Sequence, residues 1–167
     1  AFLQGMTYEE IHKRTGEPMR EVYFSLPPGS AAILRKIPGW ERFDERVHVL
    51  KCTVPGTGTG DAPRAFSMKL AGCTRSDSAG FKPITMDPEL EVRHDDRKLV
   101  ALLAKHVDDI KATGPRKEIE NLKRELTNAF GPLKYKEDEF TNTGVRHRRL
   151  ADGKVTMDQD EYIASLI

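Results

Sequence analysis

Lys98-Leu-Val-Ala-Leu-Leu-Ala-Lys-His-Val-Asp-Asp-Ile-Lys-Ala-Thr-Gly114 is the stretch on which the reading of this chain turns. An apolar run, Leu99 to Ala104, leads to two adjacent carboxylates, Asp108 and Asp109. A second run, Ile110 to Thr113, follows at once and stops at Gly114-Pro115. Runs this short suit buried strands better than helices. The spacing therefore predicts a β-hairpin with both aspartates at its tip. Neighbouring carboxylates repel each other, and a divalent cation between them relieves the repulsion. A hard ion such as Mg²⁺ prefers oxygen ligands, and such a tip is what metal-assisted phosphoryl transfer needs. A solvated Asp-Asp turn fits the same residues, and the stretch alone does not separate the two.

Downstream, Pro115 opens the clearest helix, which is expected to run to Phe130. Ile119, Leu122, Leu126 and Phe130 line one side, and Glu120 and Arg124 form a favourable i,i+4 pair. Gly131-Pro132 stops it. Residues 133–157 read as short strands and turns, with Asp152-Gly153 as a hairpin signal. A last helix begins near Asp158. Upstream, Leu90 to Arg93 is a strand, joined to the next by the charged turn His94-Asp95-Asp96-Arg97. Asp61 is placed to cap a helix with Pro63 in its first turn. Phe66, Leu70 and Cys73 share a face of that helix, and a polar loop, Thr74 to Gly80, follows.

Nearer the start, Thr7 and Glu10 have capping-box spacing, which predicts a helix from Tyr8 to about Arg14. Gly16 and Pro18 end it. Glu21 to Leu26 alternates like a strand until Pro27-Pro28-Gly29 breaks it. Residues 30–46 are mixed and hold the single tryptophan, Trp40. Val47 to Val54 reads as a strand, and residues 55–60 as a flexible glycine-rich loop. The class is α+β. The order strand, helix, strand, strand, helix, strand suits a ferredoxin-like sheet with helices on one face.

The composition is that of one globular domain or slightly more. Basic and acidic residues nearly cancel, 27 against 26, so any polyanion binding must come from local clusters. Cys52 and Cys73 are far apart and in no Cys-x-x-Cys pair, which argues against a zinc or redox motif. A reduced intracellular protein fits best. No signal peptide is visible, and no apolar run is long enough to span a bilayer. The missing initiator Met and an ending inside an expected helix suggest a fragment.

His106-Val107-Asp108-Asp109 resembles the aromatic-x-Asp-Asp box of reverse transcriptases. Further segments agree in order with the copia-type (Ty/copia) family of long-terminal-repeat retrotransposons. Ala1-Phe2-Leu3-Gln4-Gly5 is similar to the end of that family's first catalytic motif, and Val22 to Gly29 to its fingers segment. Asp61-Ala62-Pro63-Arg64-Ala65-Phe66 resembles its second motif. Thr143-Gly144-Val145 falls at its later hairpin, and Met157-Asp158-Gln159 with Tyr162-Ile163 at the entry to the thumb. The connection from Gly5 to Val22 is longer than the family's. No single box is specific; the ordered set spans nearly the whole chain.

The resemblance implies the palm and part of the fingers of an RNA-directed DNA polymerase over residues 1–157, with the thumb helix starting at 158–167. It implies Asp108 and Asp109 as catalytic Mg²⁺ ligands, with Mn²⁺ as a substitute. A third carboxylate is expected four positions before Ala1, and the polypeptide without it is expected to be inactive. Phe2 would exclude a ribose 2′-hydroxyl, while Gly58 and Arg64 would contact the incoming nucleotide. The loop carries Gly56-Thr57-Gly58 and Gly60 where the family has Leu-Tyr-Gly and a Lys, and it lacks the Gly-Lys-Ser/Thr ending of a P-loop. His106 stands for the usual Tyr beside the primer end. Arg146, Arg148 and Arg149 would grip primer or template phosphates, and Lys134 falls near the fourth motif. The partners implied are an RNA or DNA template with primer, deoxynucleoside triphosphates, and the protease, integrase and ribonuclease H of a Pol polyprotein. The compartments implied are the cytoplasm, a virus-like particle or the nucleus, without secretion and without a membrane. Two other readings stand beside it. One is a degenerate, non-catalytic nucleic-acid-binding remnant. The other is an unrelated Mg²⁺-dependent nuclease, which requires further acids, such as Glu137-Asp138-Glu139, to converge on the pair.

Overall fold

The computed structural model describes residues 2–166, Phe2 through its backbone alone. It is mixed α+β with small antiparallel sheets. The chain divides into two compact units, Ala1–Ala71 and Gly72–Ile167.

In the first unit a 3₁₀ turn, Phe2–Gln4, precedes α1, Tyr8–Thr15. The capping box forms as its spacing predicts. Thr7 Oγ1 accepts the Glu10 amide at 3.1 Å, and Glu10 returns a carboxylate to the Thr7 amide at 2.7 Å. Gly16, at φ 72°, closes the helix in the left-handed region, where glycine has no Cβ penalty. β1 (Val22–Phe24) pairs antiparallel with β2 (Leu50–Cys52), with Tyr23 opposite Lys51. Both strands are shorter than the alternation predicts. Val47 and His48 both donate their amides to the Asp44 carbonyl, at 3.2 and 2.8 Å, and so belong to a turn rather than a ladder. Within the mixed stretch, Ser30–Leu34 forms a short helix, α2. Glu45 accepts the amides of Gly29 and Ala31 at its start, at 2.7 and 2.6 Å.

α3, Ala62–Thr74, buries Ala62, Ala65, Phe66 and Leu70. Full burial of a side chain such as Leu70 is worth roughly 1.5–3 kcal/mol. Asp61 stands directly before the helix, where the sequence expects a cap. Its carboxylate takes Arg20 Nη1 at 2.7 and 2.5 Å, and its carbonyl takes the Ala65 amide.

The second unit holds a four-stranded sheet in the order β3-β4-β5-β6: Lys82–Pro83, Leu90–Asp95, Lys98–His106 and Asp109–Thr113. Every neighbour is antiparallel. This is a meander: a ferredoxin-like sheet inserts a strand between those that a helix joins, an order these four strands do not show. The β4–β5 turn places Asp96 and Arg97 at positive φ, 44° and 66°, the twist that a two-residue hairpin favours. Ala101 and Leu103 alternate into the core, and Phe81 is buried as well.

α4, Arg116–Phe130, buries Leu122 and Leu126, while Ile119 and Phe130 of the same stripe are half-buried. Glu120 pairs with Lys123 at 3.0 Å, not with Arg124, because Lys123 also bonds Glu137 at 2.6 Å and lies between the two carboxylates. Arg93 ties the sheet to this helix: it donates to the carbonyls of Ser78 and Ala79 and pairs with Glu118 at 3.0 Å. A second sheet, β7-β8-β9 (Glu139–Asn142, Val145–Arg149, Val155–Asp158), is turned at Thr143-Gly144 and at the expected Asp152-Gly153. α5, Asp160–Ala164, follows. Among the described residues, no helix is long and apolar enough to cross a membrane.

Candidate metal centre and nucleic-acid contacts

The hairpin forms where the two apolar runs place it. His106 pairs with Asp109, so Val107 and Asp108 are the two turn residues. Val107 sits at φ 57°, a region that β-branched residues rarely adopt. The strain is spent at the tip, where Asp108 and Asp109 both stand exposed. Strained backbone of this kind persists where the surrounding ladder over-determines it. Two adjacent carboxylates supply oxygen ligands enough for one hard ion that keeps its remaining waters. Among the described residues, no group of three or more His, Cys, Asp or Glu is gathered for a metal.

Behind the tip lies a charged cluster that the sequence reading does not contain. Glu91 is wholly buried, and its Oε1 accepts Lys105 Nζ at 2.8 Å and Arg75 Nε at 2.7 Å. Burial pushes the Glu91 carboxyl up, but hydrogen bonds from Lys105, Thr74 and Arg75 outweigh it and hold the group below its ordinary value. The signal was available. Lys105 interrupts an apolar strand and shares its face with Ala101 and Leu103. A lysine in such a position demands a partner.

The three arginines of β8 all meet carboxylates. Arg146 forks onto Glu139, Arg148 Nη2 bonds Asp158 at 3.2 Å, and Arg149 lies 3.8 Å from Asp138. A phosphate would have to displace these acids. Between the arginines, His147 is buried and stacked on Phe140, with ring centroids 5.0 Å apart. Lys111 of β6 brings its Nζ to 3.3 Å from both ring nitrogens. Burial, and then the Lys111 charge, lower the His147 pKa. Lys111 thus links the Asp hairpin to the arginine-bearing sheet. Lys134 is exposed in the loop between α4 and β7.

Glu137, Asp138 and Glu139 do not converge on the aspartate pair. They bond Lys123, Arg149 and Arg146.

Gly58 and Arg64 belong to the first unit. Gly58 turns the loop before α3 at φ 94°. Arg64 places both terminal nitrogens on Glu17, at 2.8 and 2.5 Å, and this pair holds the Glu17 carboxyl below its ordinary range. Glu17 and Arg20 come from the long connection after α1, which the structure thus ties to Arg64 and Asp61. The side chain of Phe2 lies outside the described residues, as do Ala1 and Ile167. Neither Cys52 nor Cys73 is in a disulfide.

Comparison of the chain with protein-family models, curated proteins and solved structures finds no match.

Proposed function

We propose that this chain is the palm and partial fingers of a copia-type reverse transcriptase, an RNA-directed DNA polymerase, with residues 158–167 starting its thumb. The observation that supports the reading is the hairpin tip. Asp108 and Asp109 stand at the end of a two-residue turn, as the box they resemble requires. In this reading the pair holds Mg²⁺ or Mn²⁺, which would polarise phosphoryl oxygens and lower the pKa of the primer hydroxyl. The chain's own part is positioning. The buried Lys105–Glu91 pair fixes β5 two residues before the turn, and His106 offers a ring beside the tip. Template–primer, deoxynucleoside triphosphates and the other Pol activities are the partners, in the cytoplasm, a virus-like particle or the nucleus.

A second reading, a non-catalytic nucleic-acid-binding remnant, meets a specific obstacle. Arg64, Arg146, Arg148 and Arg149 are all neutralised by carboxylates. The nuclease reading finds no support, because its third acid is engaged elsewhere.

Two measurements test the proposal. Mn²⁺ titration followed by electron paramagnetic resonance should show one bound ion that Asp108→Asn abolishes. Primer extension on an RNA template, by the chain fused at its start to a first catalytic motif that carries the expected carboxylate, should be lost in Asp108→Ala. Equal incorporation by wild type and variant removes the polymerase assignment.

A further inference from the structure

β9 is an open edge of its sheet, hydrogen-bonded to β8 on one side alone. Leu150 donates its amide to the Lys154 carbonyl at 2.8 Å, and Arg149 donates the other way, to the Asp138 carbonyl at 2.7 Å. These two bonds fix the phase of the ladder. Successive residues of an antiparallel strand turn their N–H and C=O groups to opposite sides. Lys154, Thr156 and Asp158 therefore aim theirs at β8, and Val155 and Met157 aim theirs outward. Among the described residues, none bonds those outward groups. The side chains are open as well: Val155 is 59% exposed and Met157 66%.

Such an edge invites a further strand, and proteins blunt it with charge, proline or short length. The other edges of the second unit are blunted in these ways. β3 is two residues long and ends at Pro83, β6 carries Asp109 and Lys111, and β7 opens on Glu139. β9 keeps charge to its two ends, with Lys154 just before it and Asp158 at its close. Val155-Thr156-Met157 between them carries none.

The order of these five residues selects the occupant. Lys154 to Asp158 can be laid antiparallel against a copy of itself with the two-fold axis at Thr156. Val155 then faces Met157 of the copy, and Lys154 faces its Asp158. Val155 and Met157 are the residues with outward backbone groups, so each such pair exchanges both N–H···O bonds. Their side chains share one face of the strand, so apolar meets apolar. The charges close both ends. Lys154 is exposed, and its ion pair is with its near neighbour Asp152, at 2.7 Å. Asp158 gives Oδ2 to Arg148, while Oδ1 has no partner. Exposed pairs of this kind add little affinity but fix register. Moving the axis to Val155 would set Asp152 against Asp158. Moving it to Met157 would set Val155 against Gln159. The chain thus carries the complement of its own edge in one register.

We propose that β9 is the contact through which two copies of this chain associate, as an isologous dimer whose axis passes through Thr156 and whose two β7-β8-β9 sheets become one. One short strand from each copy makes a small interface. The dimer is therefore weak, and its population rises with concentration. The aspartate pair takes no part in it, so a chain that stays monomeric leaves the polymerase reading untouched.

Sedimentation velocity across a concentration series should show monomer giving way to dimer. Val155→Pro removes an outward N–H and no ladder bond within the chain, and an edge tolerates proline where its N–H faces solvent. It should weaken the dimer about 10-fold. Thr156→Cys places a thiol on the axis, opposite its own copy, with Cα atoms about 4.5 Å apart. Disulfides span roughly 4.4–6.8 Å between Cα atoms, so oxidation should give a covalent dimer. Lys154→Cys, which keeps the same Cys52 and Cys73, should not. Circular dichroism confirms that each variant is folded. Should Val155→Pro unfold, the two cysteine variants decide, since both positions are exposed. A chain that remains monomeric throughout overturns the proposal. So does a folded Val155→Pro that associates as wild type does, or equal cross-linking from positions 154 and 156. A monomer that instead binds a peptide of alternating valine and threonine makes the occupant a foreign strand and overturns it as well.

Discussion

Lys105 stands three residues before Asp108 with its side chain 1% exposed, bonded to a Glu91 that is 0% exposed. Removing one partner of such a pair leaves an uncompensated buried charge. Glu91→Ala should therefore cost about 3–5 kcal/mol of unfolding free energy, read from urea denaturation. Replacing both partners, as Glu91→Leu with Lys105→Met, should recover most of it. The pair also sets an acid limit. The folded Glu91 pKa lies below the ordinary value of 4.5. Its contribution is thus present above that value and is lost as pH falls through the lower folded one. Wild type should lose stability more steeply in acid than the double variant.

His147 carries the same logic with a base. Its folded pKa is lowered from 6.5 by burial first and by Lys111 second, so the unfolded chain binds more protons. Stability from this site is complete above 6.5 and declines as pH drops below it towards the folded value. His147→Phe should flatten that decline in thermal melts between pH 7 and pH 5.

At the scale of elements, the link between β6 and α4 rests on one close approach. A Cβ on Gly114 would lie 2.8 Å from Ala101 Cβ and 3.0 Å from the Val100 carbonyl oxygen. Ala101 is buried in β5 and cannot swing aside. Gly114→Ala should destabilise by about 1–3 kcal/mol, and Ala101→Gly in the same chain should relieve part of the loss. Chemical denaturation of the single and double variants checks this.

The same elements show what local sequence reveals. The Asp hairpin was legible because two short apolar runs flank two carboxylates. The capping box at Thr7 and the α4 stripe were legible because helix signals lie within a few residues of each other. Glu45 serving the start of α2 from 14 residues away was not, nor was Asp44 diverting the amides of Val47 and His48 from a strand. The Glu91–Lys105 pair depends on a strand register that propensity does not fix. Arg64 read as an open phosphate contact because its partner, Glu17, lies 47 residues away in sequence.

For the whole molecule, 27 basic and 26 acidic side chains leave a net charge of +1 and a pI of about 8.0. A chain so near neutrality has little self-repulsion to hold copies apart. Its solubility at low salt should pass through a minimum near pH 8, measurable by precipitation across a pH series. Moderate salt should relieve the minimum by screening attraction between patches of opposite sign.

Each hydrogen-bonded neighbour in the second unit is also the next strand along the chain. Hairpins of that kind close in about 1–10 μs, and connections so local keep contact order low, which favours rapid folding. This half of the polypeptide can zip up turn by turn as it leaves the ribosome. The aspartate bend is then shaped before the last sheet has been synthesised.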